Sequence, residues 1–118
     1  MDVKQLILEF QYSEKIKSQL ILASNLLAHV ETLKGEERAG GEKILKIYLQ
    51  SLLTEIRIAQ NTVKSLSYRG AEKNVTESLG RLELNDPTNS NLCLSKALSY
   101  ITTSCQTAMT NLQENNLL

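Results

Sequence analysis

Side chains able to do covalent or metal chemistry are scarce in this sequence: one histidine, His29, and two cysteines, Cys93 and Cys105. A serine or cysteine nucleophile needs a base within hydrogen-bond reach, and with one histidine the pairs available are His29 with Cys93 or with Cys105. Nothing in the spacing brings them together, so His29 is expected as an ordinary helix-face residue. A zinc centre needs four ligands, and these three have neither ligand spacing nor a fourth partner. A carboxylate-bridged di-metal bundle needs Glu-x-x-His pairs; the residue three before His29 is Leu26, and Glu14, Glu31 and Glu55 stand outside any such motif. Gly40-Gly41 has neither the Lys-Ser/Thr nor the preceding strand of a phosphate loop. Helical pyrophosphatases pair two acidic motifs, and helical nucleases of the HEPN type place an arginine ahead of a histidine; this sequence has neither pattern. No catalytic residue, metal ligand or cofactor site is expected, and the chain is read as non-enzymatic.

Cys93 and Cys105 lie twelve residues apart on one expected helix, a separation of roughly 18 Å along its axis, which is too far for a bridge between them. They read as small buried apolar side chains.

Two leads remain, both non-covalent. Thirteen basic residues balance thirteen acidic ones, so no overall field steers a phosphate backbone. From Gly35 to Arg69, however, six basic residues stand against four acidic ones. Arg57, Lys64 and Arg69 form the candidate nucleic-acid patch, and a solvated helix face is the plainer reading of the same residues. The second lead is the last helix, where Lys96 is the only charge between Pro87 and Gln113. A solvated helix face ordinarily carries Lys and Glu; this one carries Ser and Thr, which are poorer helix formers. Ser95, Ser99, Thr102, Thr103, Gln106 and Thr110 are therefore the candidate interface, a face that another subunit can cover without stranding a charge.

The elements that must position these residues follow from apolar spacing. In Glu42–Leu66, residues Leu45, Leu49, Leu52, Ile56, Ala59, Val63 and Leu66 step by four and three, one stripe of an α-helix. Ile44, Ile47, Tyr48, Leu53 and Ile58 widen it, predicting a central helix with neighbours on more than one flank. Val3–Leu33 is a first helix, with Leu6, Phe10, Ile16, Leu20, Ala23, Leu27 and Val30 on one face, Asp2 as its N-cap and a polar waist at Gln11–Lys17 where it is expected to bend or fray. Gly35–Gly41 is expected as a loop joining antiparallel neighbours. The central helix is expected to end near Ser67–Gly70, because Ala71, Val75, Leu79 and Leu82 are out of phase with its stripe. A short third helix then covers Ala71–Leu84. Asn85–Asn91 reads as a second loop, with Asp86 or Ser90 as N-cap. Leu94, Leu98, Ile101, Cys105, Ala108 and Leu112 give the fourth helix its seam, and Asn115–Leu118 is expected to fray.

The sequence thus predicts an all-α, antiparallel bundle of four segments: two long helices, a short third and a long fourth, in a single domain over residues 1–118. One proline, no tryptophan and 42% hydrophobic residues agree with a helical core of Leu and Ile. No window is apolar enough to span a membrane, the first residues do not resemble a secretory signal, and a cytoplasmic location is expected. The function expected is an interaction or assembly module that forms a homo-oligomer, a dimer in the first instance, or binds another helical protein. The alternative is a small nucleic-acid-binding subunit of a larger complex.

Overall fold

The computed structural model describes residues 2–117. It consists of α1 (Val3–Glu31), α2 (Gly35–Thr62), α3 (Leu66–Glu83) and α4 (Pro87–Glu114), with no strand among the described residues. This is the all-α, four-helix arrangement that the apolar spacing predicts, the third helix being the short one at 18 residues against 28 or 29 for the others. Among the described residues no helix is long and apolar enough to cross a membrane.

The helices close a ring in chain order. α1 packs on α2 and α4, and α3 packs on α2 and α4, which leaves α1 diagonal to α3 and α2 diagonal to α4. Every neighbouring pair is antiparallel. Glu9 meets Ser104 while Ser24 meets Asn91 across α1 and α4; Lys15 meets Glu55 while Gln19 meets Tyr48 across α1 and α2. The interior is filled by the stripes read from the sequence: Ile16, Leu20 and Leu27 from α1, Leu45, Leu49, Leu52 and Ile56 from α2, Val75 from α3, Leu94 and Ile101 from α4, all essentially inaccessible to solvent. Each buried Leu or Ile contributes about 1.5–3 kcal/mol relative to an exposed one.

Several expectations are corrected. Gly35–Gly41 is helical, forming the first two turns of α2, and the connection to α1 shrinks to Thr32–Lys34. Gly41 is tolerated in a helix because it lies against α1: a Cβ there would come within 3.2 Å of Leu33 Cδ1 and Val30 Cγ2. The lost propensity of about 1 kcal/mol is exchanged for a close helix–helix approach. At its other end α2 stops at Thr62, earlier than Ser67–Gly70. Val63 turns to extended backbone, and Ser65 caps α3 by accepting from the Ser67 N–H. The phase change between the two apolar stripes is therefore a real break, placed at Val63–Ser65. Gly70 neither ends nor kinks α2; it lies inside α3.

Two further differences concern exposure. Leu66, assigned to the buried stripe, begins α3 outside the core and is 80% exposed. α2 has the neighbours on more than one flank that its wide stripe predicts, α1 and α3, but it is one corner of the ring and not a central helix, and Ile44, Ile47 and Ile58 on its outer side remain accessible. The polar waist of α1 does not fray: the helix runs unbroken through it. Ser13, at its middle, is completely buried.

The α3–α4 connection is tight because one residue serves both helices. Asn85 adopts a left-handed φ of 55°, its N–H reaches Leu82 O, and the Asp86 N–H reaches back to Arg81 O. That is a Schellman closure of α3. The Asp86 carboxylate then accepts from the Asn89 N–H and caps α4, with Pro87 in its first turn. The expected loop through Asn91 is thus only three residues long, Leu84–Asp86. α4 ends in the same way: Asn116 has φ 57° and Leu117 N–H reaches Leu112 O, so Asn115–Leu117 is capped and not frayed. Leu118 lies outside the described residues.

Candidate partner-binding surface

Beneath the surface, a buried polar seam ties three helices together. Ser104 on α4 donates to Glu9 Oε2 on α1 at 2.6 Å, Ser13 donates to Ser104 at 3.1 Å, and Ser13 shares a 2.8 Å contact with the Tyr68 hydroxyl. Tyr68, on α3, donates to the Glu9 carbonyl at 3.1 Å and so reaches across the diagonal of the ring. Burial pushes the Tyr68 phenol above its ordinary pKa. Glu9 is 4% exposed, and its Oε1 is buried with no hydrogen-bond partner. A second buried pair, Ser78 and Ser90, fastens α3 to α4 through a 2.7 Å hydroxyl contact and two bonds to each other's carbonyls. Sequence reasoning missed both. Serines at these positions look like solvent-facing residues until their partners, up to 95 residues away, are known.

The cysteines are free and buried. Cys105 donates to Glu14 Oε1 at 2.9 Å; burial, then that bond, pushes its thiol up to about 11. Burial likewise raises Cys93. A thiol held protonated is a poor nucleophile and a poor metal ligand. His29 is exposed, and among the described residues no three His, Cys, Asp or Glu side chains are grouped to hold a metal ion.

Above the seam lies the groove between α3 and α4. Its ridge is Tyr100, 46% exposed, whose ring lies directly over Gly70: a Cβ on Gly70 would stand 2.7 Å from Tyr100 Cδ1 and Cε1. On one side of the ring a hollow of about 360 Å³ is lined by Leu66, Ser67, Ser99, Tyr100 and Thr103. On the other side a hollow of about 380 Å³ is bordered by Gly70, Lys73, Asn74, Glu77 and Lys96. A third, of about 270 Å³, runs under Leu66 to Glu9, Ser104 and Thr107.

The six candidate interface residues all lie on the outer side of α4, with Ser95, Ser99, Thr103, Gln106 and Thr110 exposed and Thr102 half-buried. Their hydroxyls are largely turned inward on their own helix. Ser95 donates to Asn91 O, Ser99 to Ser95 O and Thr103 to Ser99 O, at 3.0–3.2 Å, a column of i to i−4 bonds. The polar atoms of this column are already satisfied, so covering it strands none of them. Ser99 and Thr103 also form one wall of the 360 Å³ hollow.

The candidate basic patch is divided. Arg57 is held by Glu72 at 2.8 Å, which neutralises it. Lys64 and Arg69 are exposed and line one hollow with Gln60, Asn61, Ser65 and Leu66 at the α2–α3 corner. Leu66 borders this hollow as well as the one beside Tyr100, so both leads meet at a single corner of the molecule.

The chain matches no known family model, no curated protein and no solved structure.

Proposed function

We propose that this protein is a non-enzymatic helical assembly module that associates with copies of itself through the outer face of α4 and the adjoining α3–α4 groove. The observation carrying this reading is the hydroxyl column Ser95–Ser99–Thr103 beside the Leu66–Tyr100 hollow. The hydroxyls of Ser95, Ser99 and Thr103, bonded to their own helix, lose little on desolvation, and the aromatic and aliphatic walls beside them supply the favourable burial. The molecule is 54 Å long and about 20 Å across, so one flank accommodates the ~800 Å² per partner of a standard interface. With equal numbers of acidic and basic residues, copies of the chain do not repel one another at long range. The experiment is light scattering on the wild type and on Thr103→Glu/Gln106→Glu. The wild type is expected as a dimer or larger and the variant as a folded monomer; equal masses refute the reading.

A second reading, a nucleic-acid-binding subunit, rests on Lys64 and Arg69 sharing one hollow with two side-chain amides. With Arg57 committed to Glu72, two cations remain, which gives a slope of roughly −2 in log affinity against log salt. Labelled RNA or DNA shifted at low salt and released with that slope favours it; no shift at low salt disposes of it.

A further inference from the structure

Among the described residues Glu9 is the only buried acid, and the fold supplies a donor to only one of its two oxygens. A carboxylate accepts at both, and one taken out of water needs donors at each. The three hydroxyls of the seam have one proton apiece, and each is already committed. Ser104 donates to Oε2, Ser13 to Ser104, and Tyr68 to the Glu9 carbonyl. None is left for Oε1.

The same side chain lines the hollow of about 270 Å³ that runs under Leu66, with Lys64, Ser65 and Ser67 on its walls. The hollow has opposite charges at its two ends. Glu9 is buried, whereas Lys64 is exposed and, among the described residues, takes part in no ion pair. Beside Lys64 the helix α3 begins, with no acidic residue in its first turn to meet the positive end of its dipole. A simple cation suits the buried end but must pass Lys64, and a simple anion suits only the exposed end. A molecule carrying both charges suits the two together. The hollow is far larger than one water and smaller than the pockets that enclose drug-sized ligands, so its ligand is of metabolite size.

We infer that this hollow binds a small zwitterion of the α-amino-acid type. The ligand's ammonium donates to Glu9 Oε1, and its carboxylate pairs with Lys64 and the first N–H groups of α3. Held by its side chain through Oε2 alone, the Glu9 carboxylate can turn about its last torsion, which is a soft one, to meet the ligand. The site is separate from the self-association proposed for α4, and either stands without the other.

The test is backbone amide nuclear magnetic resonance of the full chain, titrated with each of the common L-amino acids. Methylamine and acetate are titrated as the separate halves of the ligand. At least one amino acid is expected to bind saturably, shifting the amides of Glu9, Ser65, Ser67 and Ser104. Methylamine and acetate are each expected to bind at least about tenfold more weakly, since each lacks one charged contact. Glu9→Gln, neutral and of the same size, is expected to weaken the amino acid by at least about tenfold. Lys64→Ala, a change at the surface, is expected to weaken it several-fold with helicity unchanged. Should Glu9→Gln fail to fold, Lys64→Ala and the two half-ligands still decide. The inference is overturned if no amino acid binds, if either folded variant binds like the wild type, or if methylamine binds as tightly as the amino acid.

Discussion

Gly70 and Tyr100 are matched across the α3–α4 groove: the ring of one occupies the space that a side chain on the other would need, at 2.7 Å from a hypothetical Cβ. Glycine inside a helix ordinarily costs about 1 kcal/mol relative to alanine. Here it allows an aromatic ring to lie flat between two hollows.

Gly70→Ala is therefore expected to change stability by less than about 1 kcal/mol, since the gain in helix propensity offsets the displacement of a half-exposed ring. Tyr100 is expected to swing outward, altering the near-ultraviolet circular dichroism of a protein with four tyrosines and no tryptophan. Self-association is expected to weaken, because the hollow loses a wall. An unchanged aromatic signal contradicts this account.

The polar seam gives an order of effects. Ser104→Ala leaves both oxygens of the buried Glu9 carboxyl without a partner and is expected to cost about 2–3 kcal/mol. Tyr68→Phe removes a hydroxyl whose partners retain other bonds, at about 1 kcal/mol. Urea unfolding measures both, and a larger loss for Tyr68→Phe reverses the assignment of which bond matters most.

The thiol of Cys105 sets a pH dependence at the alkaline side. Its pKa rises from 9 in the unfolded chain to about 11 when folded, through burial and the bond to Glu14. Between these values the folded state holds the proton more firmly than the unfolded one, so stability is complete below pH 9 and falls as pH rises through that window. Burial of Tyr68 acts in the same direction. Cys105→Ser is expected to show a shallower decline in unfolding midpoint between about pH 8 and about pH 10.5. Native-state alkylation of Cys105 is expected to be limited by opening of the fold, and alkylation as fast as that of an unfolded peptide contradicts its burial.

At the α3–α4 turn, Asn85→Ala is expected to cost about 1 kcal/mol, because alanine tolerates the left-handed φ poorly, whereas Asn85→Gly is neutral or stabilising. Asp86 is held below the ordinary carboxylate range, first by the Asn89 side chain and then by the Asn89 N–H. Its contribution is present above pH 4 or so and is lost as acid protonates it in the folded state. Asn89→Ala is expected to remove part of that acid sensitivity, as followed by thermal melts across the acid range.

The fold was legible because heptad steps such as Leu45–Leu49–Leu52–Ile56 have one solution, a helix with a buried stripe. Breaks were less so. Gly40-Gly41 carries the signature of a loop, yet packing of Gly41 on Val30 and Leu33 decides otherwise, and that contact does not appear in local sequence. The end of α2 was misplaced because Leu66 continues its spacing by coincidence while Val63 and Ser65 change backbone direction. For the surface, the absence of charge on α4 was visible, but the hydroxyl column needed the helix register, and the hollow beside Tyr100 needed the ring order of the helices. The seam at Ser13 was hidden in a stretch that reads as a solvated waist.

That seam has a consequence for how the chain finds its final state. Apolar heptads are nearly as well satisfied when one helix slips past its neighbour by a turn, about 5.4 Å. The bonds among Glu9, Ser13, Tyr68 and Ser104 exist in one alignment only, and they join the first helix to the last. A collapsed bundle in the wrong alignment keeps its greasy contacts but buries four polar side chains without partners. Hydrophobicity brings the helices together; the seam selects among the ways they can slide.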